Sequence, residues 1–524
     1  MRLHTLARPA ARLWLYFMAA ALMGPPSGVA AADNPSRDPD AGKSTNLLAR
    51  GTTVARSAED RFGDTLNVLD FGADPTGRKD SAAAINATIA AALRGSKEPR
   101  SGVRYATRNI FVPCGFYKLM TPIMVWSVEG LTFGGAGACT VFLAGTPMTS
   151  PFDLNGVCQS TFQDFSISGD APADVNTFQY GIYLYWDPKT SARPTTSVRF
   201  HNIAVGNGRF VDAFRAGSKP GIGSQVSETE WSNCLAQGLW KPGETTWWQT
   251  GFVMGDGRWA NNLNHSIVQS EVTGVRYGVF NDSTNVSFRG GMIQHTESDL
   301  FAGNIAGYFV ADGFRSEGSQ RLLVQPWVSG PKQITLSNIE WRLGPDLAPD
   351  HYVIHSQGNG NLLLQNVSFE KEHPDLPCPK ILHGNQRSSL ILDGVSVSYC
   401  TPGDVIGRPA MGAVALVRGF LETGDKGGIK VFGDEIYGGD DGLAFGPWHL
   451  GEKGGDADTH LFRTSNGVLA TDKGLQHSET ATKPVCDAQH RGLSWFTQGN
   501  AGAKDIFEVC AKDASEGYQW RTLY

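Results

Sequence analysis

From residue 198 to residue 397 one short pattern keeps returning: apolar, any, apolar, any, small or polar, apolar, any, apolar. It reads Val198-x-Phe200-x-Asn202-Ile203-x-Val205, then Ile334-x-Leu336-x-Asn338-Ile339-x-Trp341, then Leu362-x-Leu364-x-Asn366-Val367-x-Phe369, then Leu390-x-Leu392-x-Gly394-Val395-x-Val397. Alternation of this kind belongs to strands, whose side chains point to opposite faces in turn. The copies beginning at 334, 362 and 390 stand 28 residues apart. A near-constant period of that length predicts stacked coils of a parallel β-helix rather than a sandwich. The Asn or Gly in each copy marks a bend where φ is positive or a side chain must bond the turn. Successive asparagines there are expected to stack as a ladder.

Ahead of these coils, Asn67-Val68-Leu69-Asp70-Phe71-Gly72-Ala73 alternates like a strand, and Asp74-Pro75-Thr76-Gly77 reads as a turn. Asp80 or Ser81 can cap a helix that carries Ile85, Ile89 and Leu93 as a narrow apolar stripe among alanines. Such a stripe suits the open end of a β-helix, which otherwise faces water. Ile110 to Tyr117 then reads strand, turn, strand, and Leu131 to Gly137 enters a glycine turn.

This order of "DFGA" strand, aspartate-bearing turn, alanine-rich helix, "FVPxGxY" strand and "LTFGGAGACT" strand resembles the pectate-lyase-like β-helix superfamily. The resemblance covers residues 65–145 in motif and roughly 65–400 in pattern. It implies an all-β chain: a right-handed single-stranded parallel β-helix with an N-terminal capping helix. It also implies a polysaccharide as partner, handled by a lyase, a glycoside hydrolase or an epimerase, with Ca2+ as the cofactor that fits a lyase and none otherwise. The aspartate series of polygalacturonases and the signature motifs of calcium-dependent pectate lyases are missing, so no catalytic residue carries over. Fold alone does not set the chemistry.

After residue 400 the chain turns glycine-rich. The run Asp458 to Leu469 resembles segments of trimeric phage fibres and adhesins, which suggests a homotrimer and a rival reading as a non-catalytic, glycan-binding or fibre-like surface protein. The organisation expected is a signal peptide at 1–31, a flexible lead-in at 32–63, the β-helix at 64–402, a glycine-rich β extension at 403–480 and a small β module at 481–524. Leu493-x-Trp495 and Phe507-x-Val509 are its strand candidates. A module so small has little core, so a Cys486–Cys510 bridge is expected. Cys378–Cys400 is the next pair, and Cys114, Cys139, Cys158 and Cys234 either pair between coils or stay as buried thiols.

The signal reading rests on Arg2, Arg8 and Arg12 ahead of the apolar run Leu13 to Met23 and the small residues through Ala32. It implies a secreted protein, extracellular or periplasmic, with no membrane span after cleavage. Removing those three arginines moves the net charge from −6 to about −9. An acidic chain is a poor nucleic-acid binder, because phosphate contacts need a basic surface. No two cysteines stand in a C-x-x-C spacing, and no metal ligand set is read.

In a β-helix the outward residues of several coils line one lateral groove, so site residues recur about one coil apart. The densest candidate is Asp312, Arg315, Glu317 and Arg321, beside Tyr308. Arginine can grip a sugar carboxylate bidentately, and paired carboxylates can serve as acid and base. The same residues also fit a solvated coil edge with local ion pairs. A second cluster is Asp256, Arg258, Trp259 and Asn262, with Trp259 placed to stack on a sugar ring; local Asx-turns explain it equally. A third set is Glu271, His295, Glu297 and Asp299, with His295 as a base, and Glu340 is a further acid. Trp240, Trp247 and Trp248 either wall a cleft or pack in a core.

Overall fold

The computed structural model describes residues 46–47, 53–57, 62–94, 102–169, 178–206, 208, 210–217, 225–241, 249–255, 263–303, 307–326, 333–343, 352–356, 360–371, 380–383, 390–398, 414–418, 461–465, 468–471, 483–515 and 517–523. The signal sequence, Cys378, Cys400, Trp247 and Trp248 lie outside the described residues.

Alternation and the bend residues together build a right-handed parallel β-helix, with 33 strands in one sheet among the described residues. One coil shows the plan. Asn285–Arg289 belongs to a first stack, Met292–Gln294 to a second and Ser298–Ala302 to a third. Tyr308–Asp312 then returns to lie parallel on Asn285–Arg289. Ile334 pairs with Leu362 and Leu362 with Leu390, as the 28-residue spacing requires. The coil length is not constant, however: His265 pairs with Val286, whereas Phe162 pairs with Phe200. Register is held by the inward side chains, and the segments between strands absorb the difference in length.

Those inward side chains form continuous ladders. In the first stack, Phe133, Phe162, Phe200, Trp231, Ile267 and Phe288 lie on one another in register. All are buried, with Phe200 and Trp231 stacked at 3.9 Å between ring centroids. The bend into the second stack is a second ladder. Asp164, Asn202, Asn233, Gln269, Asn338 and Asn366 all have φ between 48° and 61°, and Gly290, Gly313 and Gly394 take the same place in other coils. Asparagine tolerates this left-handed geometry because its amide bonds locally. Here Asn366 Nδ2 donates to Asn338 Oδ1 (3.1 Å) and Asn202 Nδ2 to Asp164 Oδ1 (2.8 Å).

Helix α1, Ala82–Ala92, covers the N-terminal end with Ile85, Ile89 and Leu93 buried. Asp80 caps it: the Ala82 amide donates to Asp80 Oδ1, while the Ser81 hydroxyl turns instead toward Asp74. The expected strand at 68–73 is a 3-10 turn, Val68–Phe71. Asn67 accepts the Leu69 amide and Gly72 closes the turn at φ 92°, so local capping overrides the alternation. The lead-in carries one antiparallel pair, Asn46–Leu47 with Arg56–Ser57. The parallel sheet runs past residue 402 to Val414–Arg418.

The second unit, Val431–Tyr524, contains a hairpin, Leu461–Ser465 with Val468–Thr471, and a three-stranded antiparallel sheet. Ser494–Thr497 pairs with Ile506–Lys512, as the sequence suggested, and Cys486 is bonded to Cys510. In the first unit Cys114 is bonded to Cys139 across neighbouring coils, and Cys158 and Cys234 are buried thiols.

Candidate functional site

The second stack places its outward side chains in two parallel columns. One runs Phe116, Val141, Ser166, Ala204, Leu235, Glu271, Met292, Arg315, Glu340, Ser368 in unbroken register. The other runs Lys118, Leu143, Ser168, Gly206 and resumes through Gln237, Thr273, Gln294, Glu317, Arg342, Glu370. With strands about 4.8 Å apart, a continuous lateral face results.

Its N-terminal part is hollow. Ser166, Ser168, Ala204 and Gly206 are small, whereas Phe116, Val141 and Leu143 on one side and Leu235 and Gln237 on the other are bulky. The step in size leaves an open, largely apolar cleft of about 730 Å³. Phe116 stands at its rim, 51 % exposed.

Its C-terminal part is filled by charge. Arg315 faces Glu340 and Glu317 faces Arg342 on neighbouring strands, so the signs alternate along and across the strands. Arg315 bonds Glu317 and lies 3.8 Å from Glu340; Arg342 lies 2.7 Å from Glu340, 3.7 Å from Glu317 and 3.5 Å from Glu370. The side chains are a third to two-fifths exposed, so each pair contributes little to stability alone.

Between the two parts sits Glu271, flanked by Leu235 and Met292. It is half-buried, and burial pushes its carboxyl above the usual carboxylate range. No arginine or lysine among the described residues pairs with it, in contrast to Glu317, Glu340 and Glu370. A carboxyl whose hold on its proton is strengthened by burial, one strand beyond the cleft wall at Leu235, can serve as a proton donor.

The other candidates are dispersed. Asp312 ends a strand of the first stack, where Ser337 (2.7 Å) and Asn338 (2.8 Å) donate to its carboxylate and lower its pKa. It belongs to the bend ladder. Tyr308 is 51 % exposed on that same stack, beside Asn285 and Gln333 and away from the charged columns. His295 occupies the bend between second and third stacks at φ 51°, its ring over Gly318. Arg321 leads into the third stack, 3.7 Å from Glu297, which Arg276 holds at 2.6 Å. Asp299 points inward and is fully buried. Trp240 is buried. Asp256, Arg258, Trp259 and Asn262 lie outside the described residues. Of the sequence-chosen acids and bases, the fold therefore joins Arg315, Glu317 and Glu340, adds Arg342 and Glu370, and supplies Glu271 from further along the face.

A second cavity, about 410 Å³, opens on the strands that precede the first stack, lined by Glu129, Cys158, Arg193, Thr196 and Ser227. There Arg193 already sits on Glu129 at 2.6 Å. No cluster of metal-ligating side chains occurs among the described residues.

No family model and no curated protein matches this chain. Among solved structures it is similar to the catalytic unit of a GH87 α-1,3-glucanase from Streptomyces thermodiastaticus (13% identity, 68% of each chain, TM-score 0.39). It is also similar to a DFA-IIIase from Arthrobacter chlorophenolicus without its lid (11% identity, 68% of this chain and 99% of that one, TM-score 0.39). A third is the N-terminal fragment of bacteriophage phi29 gene product 12 (13% identity, 64% of this chain and 57% of that one, TM-score 0.41). Likenesses this distant carry no argument about activity. The pectate-lyase-like resemblance stays one of motif.

Proposed function

We propose that this chain is an exported carbohydrate-active protein that seats a polysaccharide along the outer face of its second strand stack and cleaves it there. The observation that carries the reading is Glu271: a half-buried carboxyl with a raised pKa and no cationic partner among the described residues, placed where an apolar cleft meets a charged strip. The exposed Phe116 ring suits the C–H face of a sugar, and the length of the columns suits a chain of sugars rather than a small molecule. Glu271 would act as the general acid toward the glycosidic oxygen, and Glu317 and Glu340 would order the far end of the bound chain. Export accords with the two disulfides among the described residues, since such bonds persist in oxidising compartments.

The rival, a non-catalytic glycan-binding or fibre-like protein, is favoured by one observation. Glu317, Glu340 and Glu370 are each engaged by an arginine, as in a structural ladder. Purified protein incubated with a panel of polysaccharides separates the two. New reducing ends without absorbance near ~235 nm mean hydrolysis, and absorbance there means β-elimination. Retention on a glycan column with neither signal selects the rival. Neither retention nor turnover on any polymer removes the groove from consideration.

A further inference from the structure

We infer that the polymer seated in this groove is uncharged, a neutral hexose chain rather than a polyuronate. The inference rests on the groove reading and concerns its substrate class. Along the charged part of the two columns the described side chains are Glu271, Glu317, Glu340 and Glu370 against Arg315 and Arg342. Lys118 stands at the opposite end, beyond the cleft. The strip is net acidic whether or not Glu271 carries its proton.

Both arginines are already committed. Arg315 is held by Glu317 and approached by Glu340, and Arg342 lies among Glu340, Glu317 and Glu370. To grip a uronate carboxylate, either guanidinium must release a carboxylate that then remains next to the incoming anion. Like charges set opposite one another disfavour binding. The whole chain reinforces this, with a formal net charge of −6.

A neutral pyranose chain meets none of this. Its hydroxyls can donate to the glutamates and accept from the arginines without separating them. Its C–H faces can cover Phe116, Val141, Leu143 and Leu235 around the cleft. The desolvated carboxyl of Glu271 also fits a neutral neighbour better than an anionic one, whose charge would disfavour ionisation further and hold the proton back.

Titration calorimetry on the full chain tests this with neutral hexasaccharides of glucose, mannose and galactose, and with hexagalacturonate and hexaglucuronate. At least one neutral hexamer should bind ten-fold or more tighter than either uronate, with an affinity unchanged between 50 and 500 mM salt. Any residual uronate binding should strengthen as salt screens the repulsion. The double variant Glu317→Gln/Glu340→Gln frees Arg315, leaves Arg342 only Glu370, and should gain uronate affinity, a gain that a damaged fold would not produce. A uronate that binds more tightly than every neutral hexamer and weakens with salt overturns the inference while leaving the groove standing. So does a double variant with no gain. Failure of both classes to bind overturns the groove reading itself.

Discussion

The two ends of the second stack's outer face differ on the inside as well as the outside. Behind the apolar cleft the interior is aromatic: Phe133, Phe142, Phe152 and Phe165 lie with ring centroids 4.9–6.1 Å apart. Behind the charged strip it is polar. Ser316 lies between Arg315 and Glu317 on one strand, and Trp341 between Glu340 and Arg342 on the next, both turned toward the buried Asp299. Thr296 Oγ1 donates to Asp299 Oδ1 at 2.8 Å, and Ser316, Ser319 and Trp341 direct their polar groups to the same carboxyl. An aromatic core has no polar group to satisfy, whereas a buried carboxyl must be protonated or hydrogen-bonded to be kept. One end of the face is backed by an apolar core, and the other by a polar cluster gathered around the buried Asp299. The unpartnered Glu271 lies on the boundary.

The sharpest way to break this comparison is at the boundary itself. Glu271→Gln should lower turnover by about 100-fold or more, the usual contribution of a positioned acid, and leave glycan affinity within two-fold. Because the carboxyl must be protonated to act, wild-type turnover should fall as pH rises through its elevated pKa. Unchanged turnover in the variant assigns the chemistry elsewhere. The aromatic interior comes next. Phe142→Ala should cost about 3–5 kcal/mol by denaturant unfolding, since it removes a fully buried ring touching Tyr117, Phe133, Phe152 and Phe165.

The polar interior should respond in the opposite sense. Burial raises the Asp299 carboxyl from 3.8 to about 7, so the folded state holds the proton more tightly than the unfolded one. Its stability contribution is then complete below about pH 4 and is lost as pH rises toward 7. Asp299→Asn should flatten that slope and, at pH 8, stabilise the protein by roughly 2–4 kcal/mol. A wild-type unfolding midpoint that is flat between pH 4 and 8 contradicts this. The smallest effect expected is at the bend ladder, where Asn338→Ala should cost about 1 kcal/mol for its left-handed backbone and the bonds to Asp312 and Asn366.

These contrasts also mark where the sequence is legible. Alternation and the recurring Asn are local, so the inward ladder and the bend were readable at Phe200-x-Asn202 and Leu364-x-Asn366 without a structure. Arg342 and Glu370 were within reach too: each follows the last apolar residue of its repeat, Trp341 or Phe369, and extending the pattern one position aligns them. Glu271 was a candidate from the sequence, but its isolation was not legible, because nothing in Ser270-Glu271-Val272-Thr273 records that Leu235 and Met292 will flank it. That isolation is a product of register between coils of unequal length. Nearness in sequence misled in the other direction. Asp312, Arg315 and Arg321 lie within ten residues, yet the bends at Gly313 and Gly318, both with positive φ, send them toward three different stacks.

The central claim is that one lateral face binds a sugar chain, and electron density from crystals soaked with a neutral hexasaccharide addresses it most directly. The account predicts density lying across the second stack from the Phe116 rim over Ala204 and Leu235 to the Glu271 carboxyl. A hexasaccharide ordered instead in the cavity of Glu129 and Arg193, or on the first or third stack, would contradict it.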